Sequence, residues 1–228
     1  MKDRNLDKEG LEIESLKLAF TGRAEIYQWF SSLFALELTQ EQMEAYQKGG
    51  IENLLQFLTH YGLQKEAERL QNAINAWQLL ETPRLELAAD FASLFLLDGK
   101  HGALPYASHY LEADGNLYGD AERLMREYLA ESELKLHKNF REPADHLAVF
   151  LALLARWNRQ TIEKQEVKSV AKEQQNFIAD TLLSWVPTFA KRVSEISVAS
   201  DFYPAVVALL LSFLHLEEQF LQSLLLDD

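Results

Sequence analysis

The chain has 228 residues, 48% of them hydrophobic and 25% charged, with no cysteine and a formal net charge of −13. That length supports one sizeable core, and the missing cysteine excludes disulfides, thiolate metal sites and thiol nucleophiles. Its 35 acidic against 22 basic residues argue against nucleic acid as the main partner, because phosphate binding rewards cationic surfaces.

The same balance would steer a basic peptide towards the protein, although acidity kept only for solubility gives the same number. The opening stretch MKDRNLDKEG lacks the apolar centre of a secretory signal. The longest apolar run, AVVALLLSFL at 205–214, is shorter than the roughly 18 to 20 residues a bilayer span requires. A soluble, cytoplasmic protein is expected.

Residues 11–36 place Leu16, Phe20, Ile26, Tyr27, Phe30, Leu33 and Phe34 mostly at three- and four-residue steps, the period of a helix with one buried face. Thr39-Gln40-Glu41-Gln42 reads as a capping box opening a second helix that ends near Gly49-Gly50. Short helices follow over 51–60 and 64–80. Thr82-Pro83 starts the next, with Thr as cap and Pro at the first helical position. It carries Leu85, Leu87, Phe91, Leu94 and Phe95, and stops at Asp98-Gly99.

Residues 98–119, DGKHGALPYASHYLEADGNLYG, hold four of the nine glycines and read as one long structured loop. Helix returns at 120–131, and a polar connection, ESELKLHKNFRE, fills 131–142. Helices are expected at 143–160, 166–185, 187–195 and 202–225, with Pro187 breaking the third stretch and Asp201 capping the last. No period-two strand, repeat or low-complexity tract occurs. The fold class is all-α: a single helical domain of two closely packed groups, 1–135 (with the 98–119 loop) and 140–228, joined by a hinge at 131–142. An exposed hinge offers a route to homo-oligomers by exchange of helical halves.

Chemistry-bearing motifs are sparse. In EPADH, Glu142 to His146, Pro143 suits a helix start and Asp145 suits its first turn against the helix dipole. Helix initiation, a binding surface and acid–base chemistry all remain open from these residues alone. Neighbouring helical residues point about 100° apart, so Asp145 is poorly placed to orient the His146 imidazole. A nucleophile would have to come from elsewhere, for example Ser108, which has no G-x-S-x-G context. None of the six histidines follows a Glu by three residues or sits in H-E-x-x-H, which argues against a metal site. Gly99-Lys100-His101-Gly102 only faintly echoes a phosphate loop. What remains is a groove: an aromatic helix face with Phe91 and Leu94, beside a Tyr-rich loop in an acidic protein, suits an extended apolar and basic peptide.

Three segments occur here in the order seen in one family. DFASLF (90–95) is similar to its aromatic-x-x-Leu-Phe element, LPYASHY (104–110) to its Pro-x-x-Ser-x-Tyr loop, and EPADH to its Glu-Pro-x-Asp-His signature. The chain thereby resembles the TorD/DmsD/NarJ group of redox enzyme maturation proteins, from the first helix to near the C-terminus. The resemblance implies a cytoplasmic chaperone without catalytic turnover. Its client would be a molybdoreductase precursor, trimethylamine N-oxide reductase before others. The chaperone would bind the twin-arginine leader and the apo-form body before cofactor insertion and Tat export. It implies no tightly bound cofactor and only weak GTP binding, for which no motif here speaks.

Carried onto this sequence, the resemblance assigns Asp145 to the arginine pair and His146 to holding the loop or the peptide backbone. Pro143 would set the hinge angle, and Glu142 would add charge. Phe91, Leu94, Pro105, Ser108 and Tyr110 would shape the groove. Two competing readings are a general helical peptide-binding adaptor and a nucleotide hydrolase acting through Asp145, His146 and Ser108.

Overall fold

Helical periodicity is realised almost throughout. A computed structural model describes residues 2–113, 115, 117–136, 140–164 and 167–226, with side chains from Glu14 onward and excepting 163–168. Residues 137–139 of the expected hinge, and 114 and 116 of the expected loop, lie outside the described residues. The elements are α1 (Lys2–Ala35), α2 (Gln40–Gln47), α3 (Glu52–His60), α4 (Gln64–Asn75), α5 (Pro83–Phe91), α6 (Ala107–Leu111), α7 (Asp120–Glu131), α8 (Leu147–Lys164), α9 (Val167–Asn176), α10 (Val186–Glu195) and α11 (Phe202–Leu226). No strand occurs among the described residues, only one isolated antiparallel bridge. The fold is all-α.

The longest pairing lies between α1 and α8, one from each helical group. Small residues at the contact let the backbones approach: the Ser31 hydroxyl donates to the Ala148 carbonyl at 2.8 Å. α11 packs on α4, α9 and α10. One continuous buried cluster runs from Ile26 to Leu221 and takes in both groups. By length and composition alone α11 is apolar enough to cross a membrane. Here its apolar residues fill the core, among them Phe202, Val206, Leu210 and Leu214. Glu217 on the same helix is buried, held by Arg23 Nε at 2.6 Å and the Tyr27 hydroxyl at 3.1 Å.

Local signals account for many boundaries. The Thr39 hydroxyl accepts from the Gln42 N–H while Gln42 reaches back to the Thr39 N–H, a complete capping box. Pro187 stands in the first turn of α10, where its missing N–H leaves no bond unmade. Helices α2 and α3 close with Gly49 and Gly62 in the left-handed region, φ 87° and 90°. In each the glycine N–H and the N–H of the next residue return to carbonyls of the last turn. α7 closes the same way with Glu133 at φ 55°.

Several boundaries differ from expectation. The helix from Pro83 ends at Phe91 and passes into a π turn over Ala92–Leu96. There the Leu94 carbonyl is taken by the Ala103 N–H at 2.6 Å. Another π turn, Phe177–Leu182, follows α9. The 98–119 loop contains a short helix, α6. Asp201 does not cap α11 with its side chain, which instead forms a bidentate pair with Arg69 at 2.7 and 2.8 Å. The Ser200 hydroxyl accepts the Phe202 N–H in its place. At α5, Thr82 makes no side-chain cap; Glu86 reaches back to its N–H at 2.8 Å.

Candidate functional site

The largest departure lies in EPADH. Helix α8 begins at Leu147, not at Pro143, because the backbone before it is engaged elsewhere. Tyr106 and His146 form the isolated antiparallel bridge. The Ala107 N–H donates to the Asp145 carbonyl at 3.1 Å, and the Leu147 N–H donates to the Pro105 carbonyl at 2.8 Å. Two of the three motifs are thus stitched together by main chain. An α-helical start at Pro143 would withdraw these groups from the loop.

Side chains complete the join. Ser108 donates both its N–H (2.8 Å) and its hydroxyl (2.5 Å) to Asp145 Oδ2. Both residues are wholly buried. The other carboxylate oxygen, Oδ1, is buried without a hydrogen-bond partner. The Tyr106 hydroxyl donates to Glu142 Oε2 at 2.5 Å. Burial first, then the Glu142 hydrogen bond and charge, hold that phenol well above its usual pKa. On the far side of the turn, buried Glu122 accepts from Arg126 at 2.6 Å and, at 3.5 Å, from the Ala144 N–H. This ties α7 to the same turn.

His146 caps its own helix. Its Nδ1 accepts the Ala148 N–H at 3.1 Å, so the ring is neutral with its proton on Nε2. Burial lowers its pKa to about 4, in agreement with a neutral ring. Tyr106 and Phe140 present ring edges to it at centroid distances of 5.0 and 5.6 Å. No hydrogen bond joins His146 to Asp145 or Ser108 among the described residues, so no nucleophile–base–acid relay forms.

Each residue expected to bind has a definite place in the structure. Asp145 and His146 are buried, the first bonded to Ser108 and the second to the Ala148 N–H. Pro105, Ser108 and Pro143 are buried as well. Phe91 and Leu94 belong to the core: Phe91 meets Phe95 and Tyr203 edge-on at 5.2 and 5.4 Å. Tyr110 is half-buried and stacks on Trp185 at 5.6 Å. Glu142 alone among the eight expected binding residues is exposed. The structure joins Pro105, Ser108, Glu142, Asp145 and His146 in one latch, and leaves Phe91 and Leu94 outside it.

The motif aspartate of DFASLF also holds a turn. Asp90 accepts the Ala199 and Ser200 N–H groups, both at 2.8 Å, and so fixes the entry to α11. Arg192 on α10 donates to the Gly102 and Lys100 carbonyls at 3.2 and 2.6 Å, securing the start of the 98–119 loop. Sequence reasoning passed over Tyr106, Phe140, Glu122 and Arg192. Tyr106 lay inside a quoted motif, and its place directly after Pro105 was the available signal. The other three had none.

The chain matches the protein-family model described as nitrate reductase delta subunit over residues 58–191. It is 42% identical over 209 residues to the chaperone protein TorD of Psychrobacter sp. (strain PRwf-1), covering 90% of this chain and 94% of that one. The chaperone protein TorD of Vibrio atlanticus (strain LGP32) is 43% identical over 207 residues, with 87% and 94% covered. That of Vibrio vulnificus (strain YJ016) is 38% identical over 213 residues, with 92% and 99% covered.

Proposed function

The chain belongs to the TorD family of chaperone proteins and is not an enzyme; from that premise we propose that it serves the maturation of one molybdoenzyme in the cytoplasm. The client is the precursor of trimethylamine N-oxide reductase, engaged at its twin-arginine leader and on its apo-form body. Holding the precursor keeps it open to the molybdenum cofactor, which is the client's cargo, and delays Tat export until that cofactor is in place. The chaperone itself holds no cofactor tightly.

The single observation that carries this reading is the identity to chaperones named TorD along nearly the whole chain. The physical chemistry is compatible. A net charge of −13 favours encounter with a basic leader through long-range steering. The buried Ser108–Asp145 pair gives the two helical groups one rigid junction, and exposed Glu142 stands at its edge. In this reading Asp145 acts through the loop it holds, and Glu142 is the acidic group available to a guanidinium.

The test is a tagged pull-down from cytoplasm starved of molybdenum cofactor, read by mass spectrometry. Recovery of trimethylamine N-oxide reductase precursor with its leader intact is the expected result. Recovery of many unrelated proteins, without a molybdoenzyme among them, would replace it with the general adaptor.

A further inference from the structure

The connection after α7 inverts the charge of the protein. Between Glu133 and Glu142 the segment LKLHKNFR carries Lys135, Lys138 and Arg141 and no carboxylate, in a chain with 35 acidic and 22 basic residues. Its described part borders an open groove of about 320 Å³ between α1, α8 and the end of α7. Ala148 and Ala152 of α8 form a floor of small side chains, and Leu129, Leu134, Leu136 and Phe140 form apolar walls. Lys135 and Arg156 are the charged residues lining it. Among the described residues neither cation is paired with a carboxylate.

The groove is held open by backbone geometry. Glu133 in the left-handed region turns the chain so that the Leu134 N–H returns to the Leu129 carbonyl at 2.8 Å. This brings Leu129 and Leu134 to the same wall. Leu134, Leu136 and Phe140 are left only half-buried. The trough therefore combines unsatisfied apolar surface with two unpaired cations.

We propose that this groove binds an apolar, carboxylate-bearing segment of the client's mature body, and not its basic leader. The inference rests on the client-chaperone reading above and divides the two halves of the client between two surfaces. A leader arginine close to Lys135 or Arg156 meets like-charge repulsion even in water. An acidic residue there gains attraction instead, while an adjacent apolar side chain fills the space over Ala148 and Ala152. A concave trough of this size selects inserted side chains, as in helix-in-groove recognition, over a flat lipid surface.

The absence of cysteine makes the test clean. Ala152 is exposed, so Ala152→Cys, labelled with a benzophenone maleimide, gives one photocrosslinker in the groove of the full chain. The partners are apo trimethylamine N-oxide reductase precursor and the same protein without its leader. Crosslinks to segments of the mature body with Asp or Glu among apolar residues are expected from both forms. The Lys135→Glu/Arg156→Glu variant, its fold checked by circular dichroism, should bind the leaderless form about tenfold more weakly and a synthetic leader peptide no more weakly. Complexes that form without these effects, or that crosslink through the leader, would overturn the groove assignment and leave the chaperone reading intact. Failure of either precursor to form a complex would overturn the client reading, and the groove with it. Loss of binding to anionic phosphatidylglycerol vesicles in the charge-reversed variant, with client binding untouched, would make the patch a lipid surface and overturn the proposal.

Discussion

Ser108 and Asp145, 37 residues apart in sequence, meet at one buried carboxylate oxygen that accepts both the serine N–H and its hydroxyl. Asp145→Ala strands both donors in a dry site, so it should cost about 2–4 kcal/mol by urea unfolding. Ser108→Ala removes one donor and should cost less. The two should couple by more than about 1 kcal/mol in a double-mutant cycle. Additive losses would mean that the pair does not act as a unit.

The neutral His146 ring makes stability depend on pH. Its folded pKa, about 4, lies below the ordinary value of 6.5. Below pH 6.5 the unfolded chain takes up a proton that the folded chain refuses. The stabilisation is therefore complete above 6.5 and is lost as pH falls towards 4, by up to about 1.4 kcal/mol per pH unit. His146→Asn keeps an N-cap acceptor without that titration. The stability of the parent relative to this variant should fall by about 2 kcal/mol between pH 7 and pH 5. An unchanged difference would show that the ring titrates normally.

Glu133 occupies a backbone conformation that α2 and α3 reserve for Gly49 and Gly62. Glu133→Gly should stabilise the protein by about 1 kcal/mol, read as a rise in Tm, whereas Glu133→Val should lower it. A destabilising Gly would indicate that the Glu133 side chain contributes more than the strain it brings.

Arg23 and Glu217 are buried together, and Arg23 lies over the Phe220 ring at 3.4 Å. Burial is the main cause pushing the Glu217 carboxyl up, opposed by Arg23. Arg23→Met leaves that carboxyl without its cation and should cost about 3–5 kcal/mol in chemical unfolding near pH 7. Arg23→Met/Glu217→Leu should recover much of the loss. Equal stability of the single and double variants would deny the coupling.

How much of this was legible in the sequence depended on the range of the interaction responsible. The Thr39 capping box and the break at Pro187 are local chemistry and were readable directly. Helix α6 is five residues long, too short for periodicity to separate it from the surrounding loop. The start of α8 at Leu147 depends on the bridge between His146 and Tyr106, 40 positions earlier. No local signal near Pro143 reports that bridge, and the Pro-x-Asp pattern favours an earlier start.

The candidate site shows the same division. EPADH and LPYASHY were found as motifs, but their acidic and hydroxyl residues suggested contact with a partner. Burial turned most of them inward, where Asp145 satisfies Ser108 and His146 satisfies the Ala148 N–H. Asp201 was similarly drawn from its expected cap by Arg69. The groove beside Phe140 went unnoticed because its walls come from three separate segments and its two cations are split between what reads as ordinary polar linker, Lys135, and the middle of α8, Arg156.

The most direct measurement is a fluorescence titration of the purified protein with apo trimethylamine N-oxide reductase precursor, alongside the precursor of an unrelated molybdoreductase. Saturable binding with at least about a tenfold preference, or about 1.4 kcal/mol, for the first is the predicted result. Equal binding to both, or no binding to the first, would contradict a chaperone dedicated to that client.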